Sequence, residues 1–521
     1  MPTLDTQVLI AGAGPTGLVL ALWLTKFGIK VRIVDKTAEA APYSRALGVQ
    51  ARTLEFYQQA GIAGEAVRGG VQIRGMNLWV SGSRAAHVSF ERQPGEGLTP
   101  FPFVLAFAQD AHERFLIEQL DAARVKVERQ TELIGFDQQR DSVVATLKRP
   151  DGSEDICHAA YLAGCDGAHS IVRESIKTGF PGGTYTHLFY VADVEASGPV
   201  TNDEAHVDLD AADLLAVFPM KGKGHVRLVG TMREEPGRRD AELTFDDVSD
   251  RGIKQLKLTI SKVNWFSTYR VHHRVARSFQ KERAFLLGDA AHIHSPVGAQ
   301  GMNTGIGDAI NLAWKLAAVL NGAAAENLLD SYELERIGFA RRLVATTDRV
   351  FTVATKHGFI AEHFRTKVFP LLALILWRMP LTGRFLFRTV SQIGVNYRGS
   401  PLSDGAAGSI RGGDRLPWVQ NAASQSAETD NFAPLAAMAW QVHVYGEPRS
   451  GMAEACAGLG IPIHIFAWRP EMRRSGLARG ALYLVRPDGY VALADASGDP
   501  KRLEEYFTKR GLSARSSEIA T

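Results

Sequence analysis

Val8-Leu-Ile-Ala11 runs directly into Gly12-Ala-Gly-Pro-Thr-Gly17, and the chain continues as Leu18 to Lys26, Gly28, Lys30-Val-Arg-Ile-Val34 and Asp35. The first four residues are a continuous apolar run, the pattern of a strand buried on both faces. The next six carry three glycines at G-x-G-x-x-G spacing. Leu18 to Lys26 reads as an apolar helix closed by Gly28, and residues 30–34 read as a second strand. In such a strand–turn–helix unit Gly12 permits the tight bend, Gly14 lets backbone approach a pyrophosphate, and Gly17 lets the helix pack on the strand. The helix N-terminus offers N–H groups and a positive dipole end to phosphate. Asp35, about twenty residues on, is placed to accept hydrogen bonds from a ribose, with Lys36 beside it. The motif by itself does not separate FAD from NAD.

Composition sets the frame around this unit. With 521 residues the chain exceeds what one core usually holds, so more than one domain is expected. A hydrophobic fraction of 45% and a charged fraction of 22% are ordinary for a globular protein. A net charge of +3 without a dense Lys/Arg block argues against nucleic acid as partner. Cys157, Cys165 and Cys456 form no CxxC pair and no zinc-like spacing, which points to a reducing compartment without a disulfide framework. Met1 to Asp5 does not read as a signal peptide. The expected location is cytoplasmic. Val368 to Trp377 is apolar but shorter than the ~20 residues a bilayer requires. It is expected to be a buried helix or a partner-facing patch, with no stable membrane insertion.

Along the chain the expected fold is α/β. A Rossmann-like dinucleotide-binding domain over 1–180 resumes over 281–400 with a helical segment. An antiparallel substrate-domain sheet is inserted at 181–280. Leu214 to Met220 and His225 to Val229 read as its strands, with Lys221-Gly-Lys-Gly224 as a hairpin turn. Residues 401–430 are expected to be a linker, from their Gly/Ser/Ala/Asn content. Residues 431–521 read as a small α/β domain, with a hairpin turning at Pro487-Asp-Gly489 and a last helix opened by Asp499-Pro500.

Three further clusters decide the chemistry. They are Gly164-Cys-Asp-Gly167 with Ser170 and Arg173, then Arg283-Ala-Phe-Leu-Leu-Gly-Asp-Ala-Ala-His292, then Pro296-Val-Gly-Ala-Gln-Gly-Met-Asn-Thr-Gly-Ile-Gly-Asp-Ala309. Together with Gly12–Gly17 and the flanks Ser44-Arg-Ala46, Arg52, Gln109, Arg270 to Ala276 and Ser331 to Arg336, these resemble the single-component (class A) FAD-dependent aromatic hydroxylases of the p-hydroxybenzoate hydroxylase and phenol hydroxylase type. The resemblance covers residues 5–345. It implies that Gly12, Gly14 and Gly17 hold the FAD pyrophosphate, that Asp35 with Lys36 meets the adenosine ribose, and that Arg45 reaches the pyrophosphate. It implies Gln109 near the flavin and Asp166-Gly167 supporting FAD and NAD(P)H use. It places Asp289 on the ribityl chain, backbone N–H groups of Gly301, Met302 and Asn303 at the pyrimidine edge, and Pro296 as the catalytic-side residue beside the reacting flavin carbon. Two departures stand out: Ala299 where a second glycine is usual, and Asp35 where Glu is usual. The part from 431 is similar to the thioredoxin-like domain of the phenol hydroxylase branch, without a CxxC.

The resemblance implies hydroxylation of a small aromatic, phenolic substrate with O₂ and NADPH or NADH, through a flavin C4a-hydroperoxide. Oxygenation of a polyketide or antibiotic-like substrate, including Baeyer–Villiger insertion, is the alternative. A plain NAD-dependent dehydrogenase leaves the Asp166 and Asp289 motifs unexplained, and a flavin-binding protein without activity is the remaining non-enzymatic reading. Partners are then a small aromatic substrate and O₂, with a homodimer possible. His292 and His294 lack a third ligand, so no metal is expected. Tyr269 and His272 are both candidates for a substrate-side base.

Overall fold

The computed structural model describes residues 4–40, 46–90, 95–209, 214–232, 243–295, 298–355, 379–420 and 430–514, with Val368, Leu371, Leu372, Ile375 and Leu376. The opening unit is β1 (Thr6–Ala11), α1 (Pro15–Lys26) and β2 (Val31–Val34). The apolar run explains β1: Val8, Leu9 and Ile10 are completely buried. Helix α1 is buried from Gly17 to Leu24, as its all-round apolar sequence requires. The chain then supplies α2 (Ala51–Gln59), α3 (Gln109–Ala122) and β3 (Glu154–Gly164). β1 pairs in parallel with β2 on one side and β3 on the other. Ala284–Leu286 adds in parallel to β3. That places the second and third motifs at the same end of the sheet as the glycine turn.

The second sheet has eight strands. Its centre is β4 (Gly182–Ser197), β5 (His225–Met232) and β6 (Thr259–Val275). Leu215–Pro219 and β5 pair antiparallel, so the Lys221–Gly224 hairpin is where the sequence indicated. The sheet is not confined to 181–280, however. Gly75–Val80 and Ser83–Ser89 form its far edge, and Gly75–Val80 pairs in parallel with Ala205–Asp208. Ser81 and Gly82 both have positive φ, the requirement of a type I′ hairpin turn. At the other edge, Arg274 and Val275 of β6 pair with Ile293 and His292. The second sheet is thus hydrogen-bonded to the end of the third motif.

Two long helices follow, α4 (Gly301–Leu320) and α5 (Asp330–Thr355). Beyond them the expected linker is partly a sheet. Asp404–Ala407 and Ile410–Arg411 belong to a six-stranded sheet with Gln441–Tyr445, Ile463–Phe466, Leu482–Val485 and Val491–Asp495. The glycines at 405 and 408 mark close backbone approaches there: a Cβ on either would lie 2.2–2.3 Å from a carbonyl oxygen. Residues 421–429 lie outside the described residues. In the apolar stretch expected to be buried or partner-facing, the described side chains Leu371, Leu372, Ile375 and Leu376 are exposed. Among the described residues no helix is long and apolar enough to cross a membrane.

Candidate active site

The glycine loop is set by the chain's own packing at two of its three glycines. Gly12 has φ +102°, and a Cβ there would lie 2.2 Å from the Cys165 carbonyl oxygen. A Cβ on Gly17 would lie 2.0 Å from the Gly12 carbonyl oxygen. Gly14 is different. Its φ of −75° suits any residue, and a Cβ there meets nothing within 4 Å. Among the described residues no neighbour requires glycine at that position. The space beside it is open. Helix α1 starts at Pro15 without a side-chain cap, so its first turn keeps the anion-binding character of an open N-terminus.

Asp35 follows β2. Its Oδ2 accepts the Ala13 N–H at 2.7 Å, and its Oδ1 accepts the Thr37 N–H at 2.8 Å and hydroxyl at 2.6 Å. A carboxylate has about four acceptor positions, so one is left for a sugar hydroxyl. The residue therefore locks the glycine loop, and the Arg129 guanidinium stands 3.7 Å from its Oδ1. Lys36 is exposed.

The second motif touches the first. Gly167 has φ +77°, and the Asp166 N–H group packs beside Gly12. Asp166 Oδ2 accepts the Val172 N–H at 3.1 Å, while Oδ1 is buried with no hydrogen-bond partner. Burial raises the pKa of this carboxyl. An orphaned oxygen there is available to a donor on a ligand.

In the third motif, Gly288 turns with φ +59°, and a Cβ on it would meet the Thr16 hydroxyl at 2.7 Å. A Cβ on Gly305 of α4 would meet the same hydroxyl at 2.3 Å. The motif turn and both helices therefore converge on Thr16. Asp289, next in the turn, is exposed. Helix α4 begins at Gly301 with no side-chain cap, leaving the Gly301 and Met302 N–H groups at an open helix end. The Asn303 side chain has another task. Its Oδ1 accepts the Gln50 N–H at 2.8 Å and the Thr53 hydroxyl at 2.7 Å, and its amide donates to the Gly48 and Ala299 carbonyls at 2.8 Å each. It ties the start of α2 to the start of α4. Gly298 and Ala299 both have positive φ, +76° and +53°.

Behind this surface is a buried ionic group that sequence reading did not assign. Asp308 accepts from Arg336 Nε at 2.6 Å through Oδ1, and through Oδ2 from the Gly288 N–H at 3.1 Å, with His292 Nε2 at 2.7 Å. Burial opposes its charge, but Arg336 and His292 hold its pKa below the usual value. His292 is thus an anchor for the motif turn. Among the described residues no cluster of three metal-ligating side chains exists. His294 turns its Nδ1 to the Ser295 carbonyl at 2.8 Å, and burial pushes its pKa down to about 4. The sequence did hold a signal for the anchor: Asp308, Asn311 and Lys315 form one polar stripe at i, i+3, i+7 on an otherwise apolar helix.

Gln109 starts α3, its N–H on the Ala46 carbonyl at 3.2 Å and its side chain on Glu113 at 2.7 Å. Arg45 and Pro296 lie outside the described residues. A second unassigned group meets the same Ala46 carbonyl. Arg227 of β5, buried to 1%, donates to it at 2.9 Å while gripping Asp193 of β4 in a bidentate pair at 2.6 and 2.7 Å. Trp265 lies opposite Asp193, and Tyr269 lies opposite Phe189, on the same face of the sheet. This face carries the aromatic side chains of Phe189, Trp265 and Tyr269, and the Arg227–Asp193 pair that reaches Ala46. His272 is on the alternate face of β6, hydrogen-bonded to Thr184.

A glycine loop, a buried acid oxygen without a partner and an open helix end lie at one end of the sheet, and comparison with known proteins names the family. The FAD binding domain family matches residues 5–347. The chain belongs to the class A FAD-dependent aromatic hydroxylases. The 6-methylpretetramide 4-monooxygenase of Streptomyces rimosus is 32% identical over 93% of this chain and 90% of its own length. Pentachlorophenol 4-monooxygenase of Sphingobium chlorophenolicum is 28% identical, covering 94% of this chain and 93% of its own length. The solved ternary complex of aklavinone-11 hydroxylase with FAD and aklavinone superimposes with a TM-score of 0.77 at 25% identity, over 98% of this chain and all of that one. This flavin-dependent monooxygenase is accordingly an oxidoreductase that takes FAD as cofactor.

Proposed function

We propose that the enzyme hydroxylates a phenolic ring, using O₂ and NADPH or NADH. The glycine loop carries the reading: Gly12 and Gly17 admit close carbonyl contacts, and Gly14 stands beside open space at the uncapped start of α1. The backbone at Gly12, Gly14 and Gly17 would hold the FAD pyrophosphate together with Arg45, and Asp35 with Lys36 would meet the adenosine ribose. Asp166-Gly167, Gln109 and Asp289 would hold the middle of the cofactor. Gly301, Met302 and Asn303 would present backbone N–H groups to the flavin's pyrimidine edge, where a helix N-terminus favours negative charge, and Pro296 would stand at its reacting edge. FAD supplies hydride acceptance and O₂ activation when bound. The chain's residues bind it, fix its register and exclude water.

The face with Phe189, Trp265 and Tyr269 would receive the substrate, with Tyr269 favoured over His272 as a proton-handling group because of the face it occupies. Trp265 and Tyr269 are four residues apart, about 13 Å along a strand, more than one benzene ring needs. This supports the second reading, a multi-ring polyketide phenol. The C-terminal strand order Val491–Asp495, Leu482–Val485, Gln441–Tyr445, Ile463–Phe466 supports a thioredoxin-like layout without a dithiol. The test is the visible spectrum of the purified protein, then NAD(P)H oxidation in air with single-ring and fused-ring phenols. A bound flavin whose reduction one class accelerates, with a product heavier by one oxygen, is the expected result. A protein that stays colourless after incubation with FAD overturns the reading.

A further inference from the structure

The turn Arg486-Pro-Asp-Gly-Tyr490 of the C-terminal sheet reaches the flavin-binding loops by three buried routes. On α2, the Asp488 carbonyl accepts from Arg52 at 2.9 Å and the Pro487 carbonyl accepts from Gln59 at 2.5 Å. The other side of the same helix start, Gln50 and Thr53, holds Asn303. On α4, Asp488 Oδ2 accepts the Trp314 indole N–H at 3.1 Å. Arg486 bridges Asp488 and Glu335, and Glu335 also accepts from Lys315 at 2.8 Å. The third route reaches α5 through Tyr397: the Tyr490 ring lies 4.4 Å from the Tyr397 ring between centroids. The Tyr397 hydroxyl accepts from Arg336 at 2.9 Å, and Arg336 holds Asp308, which holds the Gly288 N–H. Arg486, Asp488 and Tyr490 are all at most 2% exposed.

We propose that this turn, with Tyr490 at its end, is a positioning element for the flavin. By fixing α2, α4 and α5 against one another it sets where Gly288-Asp289 and Gly301–Asn303 stand. The inference rests on the FAD reading above and extends it to a domain with no other assigned task. A domain that served only to stabilise the chain would need no convergence of its links on the two loops that face the cofactor. The routes end at Gly288 and Asn303, not merely at the domain boundary.

The experiment compares Tyr490→Ala and Tyr490→Phe with Val444→Ala, a buried control in the same sheet. Flavin-free protein is titrated with FAD by fluorescence, and the visible spectrum and the melting temperature without FAD are recorded. Tyr490→Ala is expected to weaken FAD at least about tenfold and shift the bound-flavin spectrum, with Phe restoring both. Val444→Ala is expected to lower the melting temperature without moving the FAD Kd. Wild-type Kd and spectrum in Tyr490→Ala overturn the proposal, as does a Kd that weakens in both variants in proportion to lost melting temperature. If Tyr490→Ala does not fold, Asp488→Asn is read against the same outcomes. A wild-type protein that binds no FAD overturns the FAD reading and this inference together. Normal wild-type binding with an unaffected variant overturns the inference alone.

Discussion

The glycine loop at 12–17 and the turn at 486–490 are both short connections at strand ends, and they hold their neighbours by opposite means. The first relies on glycine backbone, with Asp35 as a charged tie. Gly12 and Gly17 admit carbonyl oxygens where a Cβ would collide, and Gly14 leaves room outside. The second uses charge. Arg486 lies between Glu335 and Asp488, all three out of water. A backbone turn of the first kind fixes residue types and is readable from one chain segment. A charged turn fixes partners far apart in sequence, and any one of its residues alone looks like an ordinary surface position.

The largest break should come from the charged turn. Arg486→Met removes one cation and leaves two buried carboxylates without their main partner. A loss of about 4 kcal/mol is expected, read from denaturant midpoints at an unchanged slope. Burial opposes the charge on Glu335, yet Arg486 and Lys315 hold its pKa below the usual value, so the missing guanidinium is felt directly. A loss under about 1 kcal/mol would mean the turn is held by packing and not by charge.

Acid should weaken both regions through histidines buried without charge. His112 beside Tyr57, in the flavin-binding part, and His443, in the C-terminal sheet, are each pushed down to about 3 by burial. The unfolded chain takes up those protons near pH 6.5 and the folded one does not. Stability is therefore full above pH 6.5 and is lost as pH falls, by about 3 kcal/mol per histidine at pH 4. The lowered carboxyls of Asp308 and Glu335 act in the same direction at still lower pH. Unfolding curves between pH 4 and 7 test this. A flat profile sinks it, and a His112→Gln variant that keeps the full slope assigns the effect to His443.

A smaller and sharper test separates the two kinds of glycine. Gly14→Ala should leave the flavin-free protein as stable as wild type, because its φ is ordinary and its Cβ space is empty. It should weaken FAD about tenfold, or 1.4 kcal/mol. Equal loss of stability and of FAD binding would place Gly14 with Gly12, as a packing glycine.

The same contrast marks what the sequence made legible. Strand, glycine turn, helix and Asp35 were readable because steric rules bind residue type to local shape over about 30 residues. The Gly164–Gly167 and Gly288–Asp289 turns followed from the resemblance, and both do reach the glycine loop. The strands at 75–89 were missed because their membership depends on a parallel partner at 205–208, although Ser81-Gly82 was a fair hairpin signal. The strands at 404–411 were read as linker because they are short and glycine-rich. Arg227 was invisible: its meaning comes from meeting Asp193 across two strands and Ala46 across 181 positions. The Asp308–Asn311–Lys315 stripe is visible in the sequence, since a polar stripe on an apolar helix demands a buried partner.

The smallest effect concerns a place in the site where backbone logic and residue type disagree. Ala299 stands in the left-handed region at φ +53°, where a Cβ costs roughly 1–2 kcal/mol. Its methyl also closes on Gly48, where a Cβ would sit 2.8 Å away, while its carbonyl accepts from the Asn303 amide. The loop is thus held against its preference by the Asn303 hub. Ala299→Gly removes the strain but gives the unfolded chain more freedom, worth about 0.4–1 kcal/mol in the other direction. The net expectation is a gain of up to about 1 kcal/mol with FAD affinity unchanged, measured by denaturant unfolding and by FAD titration. A gain in stability together with weaker FAD would mean that the strain itself holds the Gly301 N–H groups in place, and would move Ala299 from the list of tolerated departures to the working parts of the site.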